Sequence, residues 1–381
     1  MITKDFLQFT GFCAPVISAL SCAVMLIINR YNRTRSEEKT LYRLLVVYFL
    51  AVSFLWACSL IYVYFPLLYV RINILYYIGL FWGQVVFYQF IYTLTRLPGE
   101  KPFPVIHYIL PLVIVGVFAV WSAFIPFETQ VHLVTSRGEV VPGYEAYSRL
   151  FTSRLIFRGI WNIVYTALAW WRLLAYRRAI SDYSANADRS SLAWVRLLLL
   201  ISFSLVPPSL VSAIFSKKVL ISSLLLLIPQ LLLVGQHAIM CYNMAVGNFV
   251  VISSSAEEEE EDNPFPPEEK EDERINKRRI FEKYISNHRP YLNPDLRITD
   301  LMQEFHTNRT YLSRFINREY GMSFSRYINS LRLQEMEVLR DDPACARLSE
   351  EERACMAGFG NFRGYLRAKK IIEKEQKEKK I

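Results

Sequence analysis

The sequence predicts an all-α protein in which seven membrane-spanning helices precede a smaller, basic helical domain. Three observations support this fold class: long apolar stretches in the first two thirds of the chain, an acidic segment after them, and helical periodicity beyond it. The predicted boundaries are a transmembrane domain at 1–252, a Pro-containing linker at 253–273 and a helical domain at 274–381. Charge follows the same division, because residues 257–273 hold 1 basic and 11 acidic residues while residues 274–381 hold 23 basic and 15 acidic ones.

Seven apolar stretches are long enough to cross a bilayer, whose hydrocarbon core of about 30 Å requires roughly 20 helical residues. These predicted spans are 6–29, 44–65, 72–95, 103–125, 155–176, 193–215 and 219–241. The acidic residues of the first 256 positions all lie outside the spans or at their edges. A bilayer imposes this segregation, since a carboxylate at its centre costs several kcal/mol. A soluble helical protein would show a polar face on each helix instead.

The Lys and Arg residues between the predicted spans indicate the orientation. The odd-numbered loops and their flanks hold 12 of these residues, and the even-numbered ones hold 6. Because cytoplasmic loops are enriched in Lys and Arg, this bias predicts an outside N-terminus and a cytoplasmic C-terminus. We interpret the first span as an uncleaved anchor, since its apolar stretch is longer than that of a typical signal peptide.

Polar residues also lie within the predicted spans, and the sequence leaves their role open. They are Asn73, Gln84, His107, Arg158, Asn162, Gln230 and His237. Polar groups inside a membrane are candidates for function, and they also form hydrogen bonds that hold helices together. The acidic linker is likewise open to two interpretations: an extended tether, or a segment that covers the basic domain until a signal arrives.

Beyond residue 274 the apolar residues recur at helical spacing and predict three amphipathic helices. The apolar positions are Ile280, Phe281, Tyr284 and Ile285, then Ile298, Leu301, Met302 and Phe305, then Tyr311, Leu312, Phe315 and Ile316. A short polar turn at 306–308 separates the second helix from the third, and Gly321 stands where a helix end favours a left-handed residue. Two short helices joined by such a turn are typical of a helix-turn-helix.

A long ordered set of residues after Arg289 is more specific than the periodicity. It consists of Pro290-Tyr291-Leu292-Asn293-Pro294-Asp295-Leu296, residues 298–305, Asn308-Arg309-Thr310-Tyr311-Leu312-Ser313-Arg314-Phe315, Glu319-Tyr320-Gly321-Met322-Ser323-Phe324, Tyr327-Ile328-Asn329 and Leu331-Arg332-Leu333. This set resembles the DNA-binding domain of the AraC family, over roughly residues 275–372. The resemblance implies two helix-turn-helix units joined by a long helix at 323–340, with two recognition helices in successive major grooves.

The second unit departs from the family pattern. Residues 348–357 fit its first helix, Gly358-Phe359 matches the family's turn, and Tyr365 falls on the usual buried aromatic position. Lys369 replaces an expected core aromatic, Gly364 lies inside the helix, and the closing Gly-x-x-Pro segment is absent. Because glycine in a helix interior costs about 1 kcal/mol relative to alanine, we expect base reading from the first unit and backbone contacts from the second.

Contact chemistry assigns the expected DNA-binding residues. Arg309 and Arg314 match guanine edges, Asn308 matches adenine, and Thr310 and Ser313 are short enough to contact bases or phosphates. The remaining basic residues would neutralise phosphate, which adds affinity without sequence preference. They are Arg318, Arg326, Arg363, Arg367 and Lys370.

The resemblance implies a transcription regulator in the inner (cytoplasmic) membrane of a bacterium. Its expected partners are double-stranded DNA, membrane lipid, RNA polymerase, a second copy of the chain, and a small-molecule or protein signal. We predict no cofactor, no metal site and no enzymatic activity, since the sequence lacks phosphate-loop, His-Glu-x-x-His and Gly-x-Ser-x-Gly motifs. Two alternatives stay open: a channel or transporter with a regulatory tail, and a membrane receptor whose degenerate tail binds a protein.

Overall fold

The computed structural model describes residues 4–31, 36–97, 100–180, 184, 192–207, 227–251 and 271–378. These residues contain fourteen α-helices and no β-strand, so the predicted all-α class is confirmed. The chain divides into two compact units, one formed mainly by the apolar helices and one containing the C-terminal helices.

Eight helices precede the linker. They are α1 (Lys4–Tyr31), α2 (Ser36–Tyr64), α3 (Pro66–Leu94), α4 (Ile106–Ala123), α5 (Phe127–Thr135), α6 (Glu145–Ala179), α7 (Ala193–Ser204) and α8 (Leu227–Ala245). Helix α3 begins at Pro66, whose fixed φ and missing N–H suit the first position of a helix. Among these helices α1, α2 and α3 pack as consecutive neighbours, and α8 packs on α1.

Four of the described helices, α1 to α4, are long and apolar enough to cross a membrane. Their apolar segments are Phe6–Tyr31, Glu38–Tyr64, Pro66–Leu94 and Ile106–Ala123, which overlap most of the first four predicted spans. Large apolar side chains stand exposed on their outer faces: Ile17 and Ile28 on α1 and Val117 on α4 are each 63% exposed. Exposed apolar stripes of this kind suit contact with lipid, and the chain is associated with a membrane.

The three other predicted spans have different outcomes. The fifth lies within α6, which carries six arginines between Arg149 and Arg178 and is not among the four apolar helices. The sixth is described only as far as residue 207, where α7 has 12 residues. Residues 219–226 of the seventh lie outside the described residues, and its remainder falls in α8.

Two of the polar residues within the predicted spans form hydrogen bonds between helices. His237 of α8 is fully buried, and its Nδ1 lies 2.8 Å from the Ser18 hydroxyl of α1. His107 of α4 pairs with the Tyr165 hydroxyl of α6 at 3.0 Å. These contacts favour the structural interpretation for both histidines, because each one joins two helices.

Six helices follow the linker. They are α9 (Glu271–His288), α10 (Ile298–Phe305), α11 (Arg309–Tyr320), α12 (Phe324–Asp341), α13 (Glu350–Met356) and α14 (Phe362–Glu378). Short 3₁₀ turns lie at Pro290–Leu292 and Pro343–Cys345. Helix α9 includes 271–273, which we had assigned to the extended linker; residues 253–270 of that linker lie outside the described residues. The long joining helix predicted at 323–340 is confirmed within one residue at each end.

The predicted apolar faces of this region are confirmed, with one correction. Phe281, Ile285, Ile298, Leu312 and Ile316 are all buried. Ile280 was assigned to the same apolar stripe as Phe281, but it is 52% exposed, because adjacent helical residues point about 100° apart and Phe281 and Ile285 occupy the buried face.

Candidate nucleic-acid interface

Helices α10 and α11 form a pair joined by the short turn at 306–308. His306 ends α10 in the left-handed conformation, with φ of 45°. Asn308 then begins α11 as its N-cap, and its Oδ1 accepts a hydrogen bond of 2.8 Å from the backbone N–H of Tyr311. Gly321 ends α11 with φ of 65°, the left-handed residue that the sequence predicted. The local sequence thus determines both ends of α11.

An aromatic cluster holds the inner face of α11. The ring of Phe281 in α9 lies 5.3 Å from Phe305, 5.4 Å from Phe315 and 5.8 Å from Tyr327. Edge and tilted contacts at such distances add to the area buried by the rings. The first helix pair is therefore packed between α9 and α12, and its third side carries the polar residues of α11.

The outer face of α11 carries the predicted base-reading residues. Arg314 and Arg318 are exposed, and Arg309 and Ser313 are partly buried. Arg318 donates to the neighbouring Glu319 carboxylate at 3.2 Å, which reduces the positive charge available to phosphate at that point. The side chain of Thr310 lies outside the described residues. Arg326, at the start of α12, is exposed.

The N-cap hydrogen bond of Asn308 leads to a prediction that separates capping from the expected contact with adenine. Replacing Asn308 by alanine should cost about 1 kcal/mol of stability, whereas serine, an equally good N-cap, should retain it. Both variants should lose a preference for adenine of about 10-fold or more at one base position. Chemical denaturation measures the first effect, and binding to duplexes substituted at single positions measures the second. A serine variant with unchanged base preference would restrict Asn308 to capping.

Helices α13 and α14 form the second pair, joined by a turn at Gly358. A small apolar core holds this pair on α12: Met336, Ala354, Ala357, Phe359, Tyr365 and Ala368 are all buried. Gly364 lies in the first turn of α14, where its N–H donates to the Asn361 Oδ1 at 2.8 Å. The predicted penalty for a glycine in a helix interior therefore does not apply in full, since Gly364 occupies the capped end.

The second pair also presents basic residues. Arg363 and Lys370 of α14 are exposed and Arg367 is partly buried. Lys369, which replaces the expected aromatic, is partly buried and lies 5.7 Å from the ring of Tyr365. The core of the second pair forms without an aromatic residue at position 369, because Tyr365 and Ala368 provide the buried apolar surface of α14.

A buried arginine of α12 connects the region to the loop after α9. Arg332 is 1% exposed, and its guanidinium donates to the carbonyl oxygens of Tyr291 and Asn293, both at 2.7 Å, and to the Asn329 amide oxygen at 3.2 Å. Burial lowers the pKa of Arg332 to about 10, so the group stays charged at neutral pH. One turn further along α12, Glu335 accepts from Arg289 and from the Tyr291 hydroxyl, each at 3.1 Å.

The turn of the second pair reaches the same loop. Gly358 has φ of 92°, and a Cβ built on it would lie 2.3 Å from the Tyr291 carbonyl oxygen and 2.7 Å from the Leu292 Cα. The loop at 291–293 is thus held by Arg332 from α12 and touched by the turn of the second pair. In the sequence Arg332 and Gly358 stand out only as parts of the resemblance, and their shared contact with this loop was not predicted.

No protein-family model, curated protein or solved structure matches the chain. The likeness to the AraC family remains a prediction from the residues quoted above.

Proposed function

We propose that this chain is a membrane-anchored, sequence-specific DNA-binding transcription regulator. The observation that carries the proposal is the first helix pair, in which α11 is capped at both ends, packed on its apolar face and lined with arginine on its outer face. A helix of this kind, following a short helix across a tight turn, is the arrangement that enters a major groove.

The second helix pair supports the same proposal. Its core is complete and its second helix carries Arg363, Arg367 and Lys370, so we assign it to a second contact along the duplex. Phosphate contacts from these residues would raise affinity and position the first pair on its bases.

The membrane unit supplies the anchor in this proposal. We retain seven spans, an outside N-terminus and a cytoplasmic DNA-binding domain as the proposed topology, because the basic residues favour it and four apolar helices are present. A signal received by the helical bundle would shift it between two states and alter the access of the DNA-binding domain to DNA. RNA polymerase and a second copy of the chain are the proposed partners at the promoter.

The decisive experiment measures binding of a 271–381 fragment, which includes all of α9, to genomic DNA fragments across a salt titration. We expect enrichment of one shared sequence. Replacing Arg314 by alanine should weaken binding to that sequence by about 10- to 100-fold, because a bidentate guanine contact contributes about 1–3 kcal/mol of discrimination. Binding to unrelated DNA should weaken far less, since only one of many phosphate-attracting charges is lost.

Arg347 provides the matched control for this substitution. It is an exposed arginine in the turn before α13, outside both helices proposed to enter the groove. Arg347→Ala removes the same charge and should leave the sequence preference unchanged. Absence of binding at low salt would contradict the proposal and favour a protein-binding role for this region.

A further inference from the structure

A buried arginine that has no carboxylate partner among the described residues lies in the membrane unit. Arg154 stands directly before the fifth predicted span, among the 6 basic residues counted for the even-numbered loops, but the structure places it in α6, where it is 8% exposed. Its guanidinium lies over the Phe151 ring at 3.7 Å and faces the rings of Tyr62 and Tyr77 at 5.6 and 6.0 Å. Among the described residues its one hydrogen bond is from Nη1 to the Phe151 carbonyl oxygen, and its Nε is buried without a partner.

Three tyrosines around Arg154 bury hydroxyl groups that also lack partners. The hydroxyls of Tyr62, Tyr69 and Tyr77 are inaccessible, and none forms a hydrogen bond of ordinary geometry within the described part of the chain; those of Tyr69 and Tyr77 lie near each other. Tyr62 and Tyr69 are in ring contact at 4.9 Å, so α2 and α3 bring these groups to one place. Four unsatisfied polar groups in one cluster are rare in native proteins, where buried polar atoms nearly always have a partner.

The cost of this cluster indicates that something else completes it. A buried cation without a counter-ion loses several kcal/mol of hydration, and the faces of aromatic rings recover only part of that loss. The partly buried Arg137 lies beside the cluster but does not neutralise it, because it also carries a positive charge. Its Nη1 and Nη2 donate to the carbonyl oxygens of Tyr62 and Val63, at 2.8 and 3.0 Å, and hold the loop after α5 against the end of α2.

We propose that Arg154 and the hydroxyls of Tyr62, Tyr69 and Tyr77 bind a small organic anion through its carboxylate. A guanidinium with a free Nε edge matches a planar carboxylate, and the tyrosine hydroxyls are donors that can complete the coordination of its oxygens. The Nη1 and Nη2 donors of Arg137 are engaged by the carbonyl oxygens of Tyr62 and Val63, so Arg154 is the cation that faces the ligand, and its single charge suits a monoanion. The residues packed around the cluster are apolar and aromatic, which suits the hydrocarbon part of an organic anion once the cluster opens to admit it.

The position of the site suits a ligand that arrives from outside the cell. The cluster lies between the end of α2, the first half of α3 and the first half of α6. In the proposed topology these ends face away from the cytoplasm. Anion binding does not depend on DNA binding; only the use of the anion as a signal rests on the proposed function.

The test uses the full chain in detergent and contains no DNA, so that failure here and failure of the regulator proposal can be told apart. Acetate and benzoate serve as probes, and acetamide and benzamide serve as their neutral counterparts, all at constant ionic strength. We expect a carboxylate to raise the melting temperature in a saturable way, by several degrees at about 100 times its dissociation constant. The amides should leave it unchanged.

Variants of the cluster separate a binding site from a structural arginine. Arg154→Met should weaken binding by at least about 30-fold and leave the melting temperature of the unliganded protein equal or higher, since an unpaired buried charge is removed. Tyr77→Phe, which removes only one hydroxyl, should weaken binding about 10-fold. The control Arg149→Met removes an exposed arginine of the same helix and should retain the full response.

Any one of three results for the wild-type protein would overturn the proposal. Its melting temperature would respond to neither carboxylate, or would respond equally to the amides, or would respond to inorganic phosphate alone. An Arg154→Met protein that melts well below the wild type, together with a Tyr77→Phe protein of unchanged affinity, would assign Arg154 to structure.

Discussion

Replacing Arg332 by methionine should destabilise the C-terminal domain by roughly 2–6 kcal/mol, because two buried carbonyl oxygens are left without a donor at a cost of about 1–3 kcal/mol each. The aliphatic part of the side chain is kept, but the carbonyl oxygens of Tyr291 and Asn293 lose their donor in a buried position. Domains of this size are stabilised by only about 5–15 kcal/mol, so a large share of the total is lost. Urea denaturation of the 271–381 fragment measures the change.

Arg340→Met is the control on the same helix. Arg340 is 40% exposed and pairs with Glu337 at 2.7 Å, a surface contact of the kind that contributes about 1 kcal/mol or less. A loss of stability as small for Arg332→Met as for Arg340→Met would show that the loop at 291–293 does not depend on its arginine.

Replacing Gly358 by alanine should be nearly as damaging. The added Cβ would lie 2.3 Å from the Tyr291 carbonyl oxygen. Neither atom can move aside by rotating a side chain, because the Cβ is bonded directly to the backbone and the oxygen is part of it. The left-handed conformation adds about 1–2 kcal/mol for any residue with a Cβ. We expect the turn of the second pair to separate from the loop, with a total loss of roughly 3 kcal/mol or more.

Gly321→Ala isolates the conformational part of that effect. Gly321 is also left-handed, with φ of 65°, but no atom lies within 4 Å of a Cβ built there. Its replacement should therefore cost only about 1–2 kcal/mol. Equal losses for the two alanine variants would contradict the close contact between Gly358 and the loop.

The helices and their apolar faces could be predicted because they depend on local pattern. Periodicity identified α9, α10 and α11, the resemblance implied α12, and the left-handed end of α11 followed from the position of Gly321. The first four spans were equally visible, since length and hydropathy are properties of a continuous stretch. Ile280 was misassigned because successive residues of a helix point about 100° apart, so the residue beside the buried Phe281 can lie outside the buried face.

Contacts between distant residues could not be predicted. Arg332 resembles any arginine of an amphipathic helix until the loop at 291–293 is placed beside it. Arg154 was assigned to a loop because it precedes the apolar stretch of the fifth predicted span, and nothing in its neighbours along the chain indicates that tyrosines from two other helices enclose it. Whether a charged side chain is buried depends on tertiary packing, so the candidate ligand site could be identified only in the structure.

The position of Phe281 in the aromatic cluster has a mechanical consequence. Helix α9 is where the chain enters the C-terminal helices, and this ring is its deepest point of attachment, at 2% exposure. Tension applied along the chain from the membrane side would load α9 first and withdraw Phe281 from between Phe305 and Phe315. Under such tension the C-terminal helices would first lose the packing that supports α11, instead of moving as an intact folded domain.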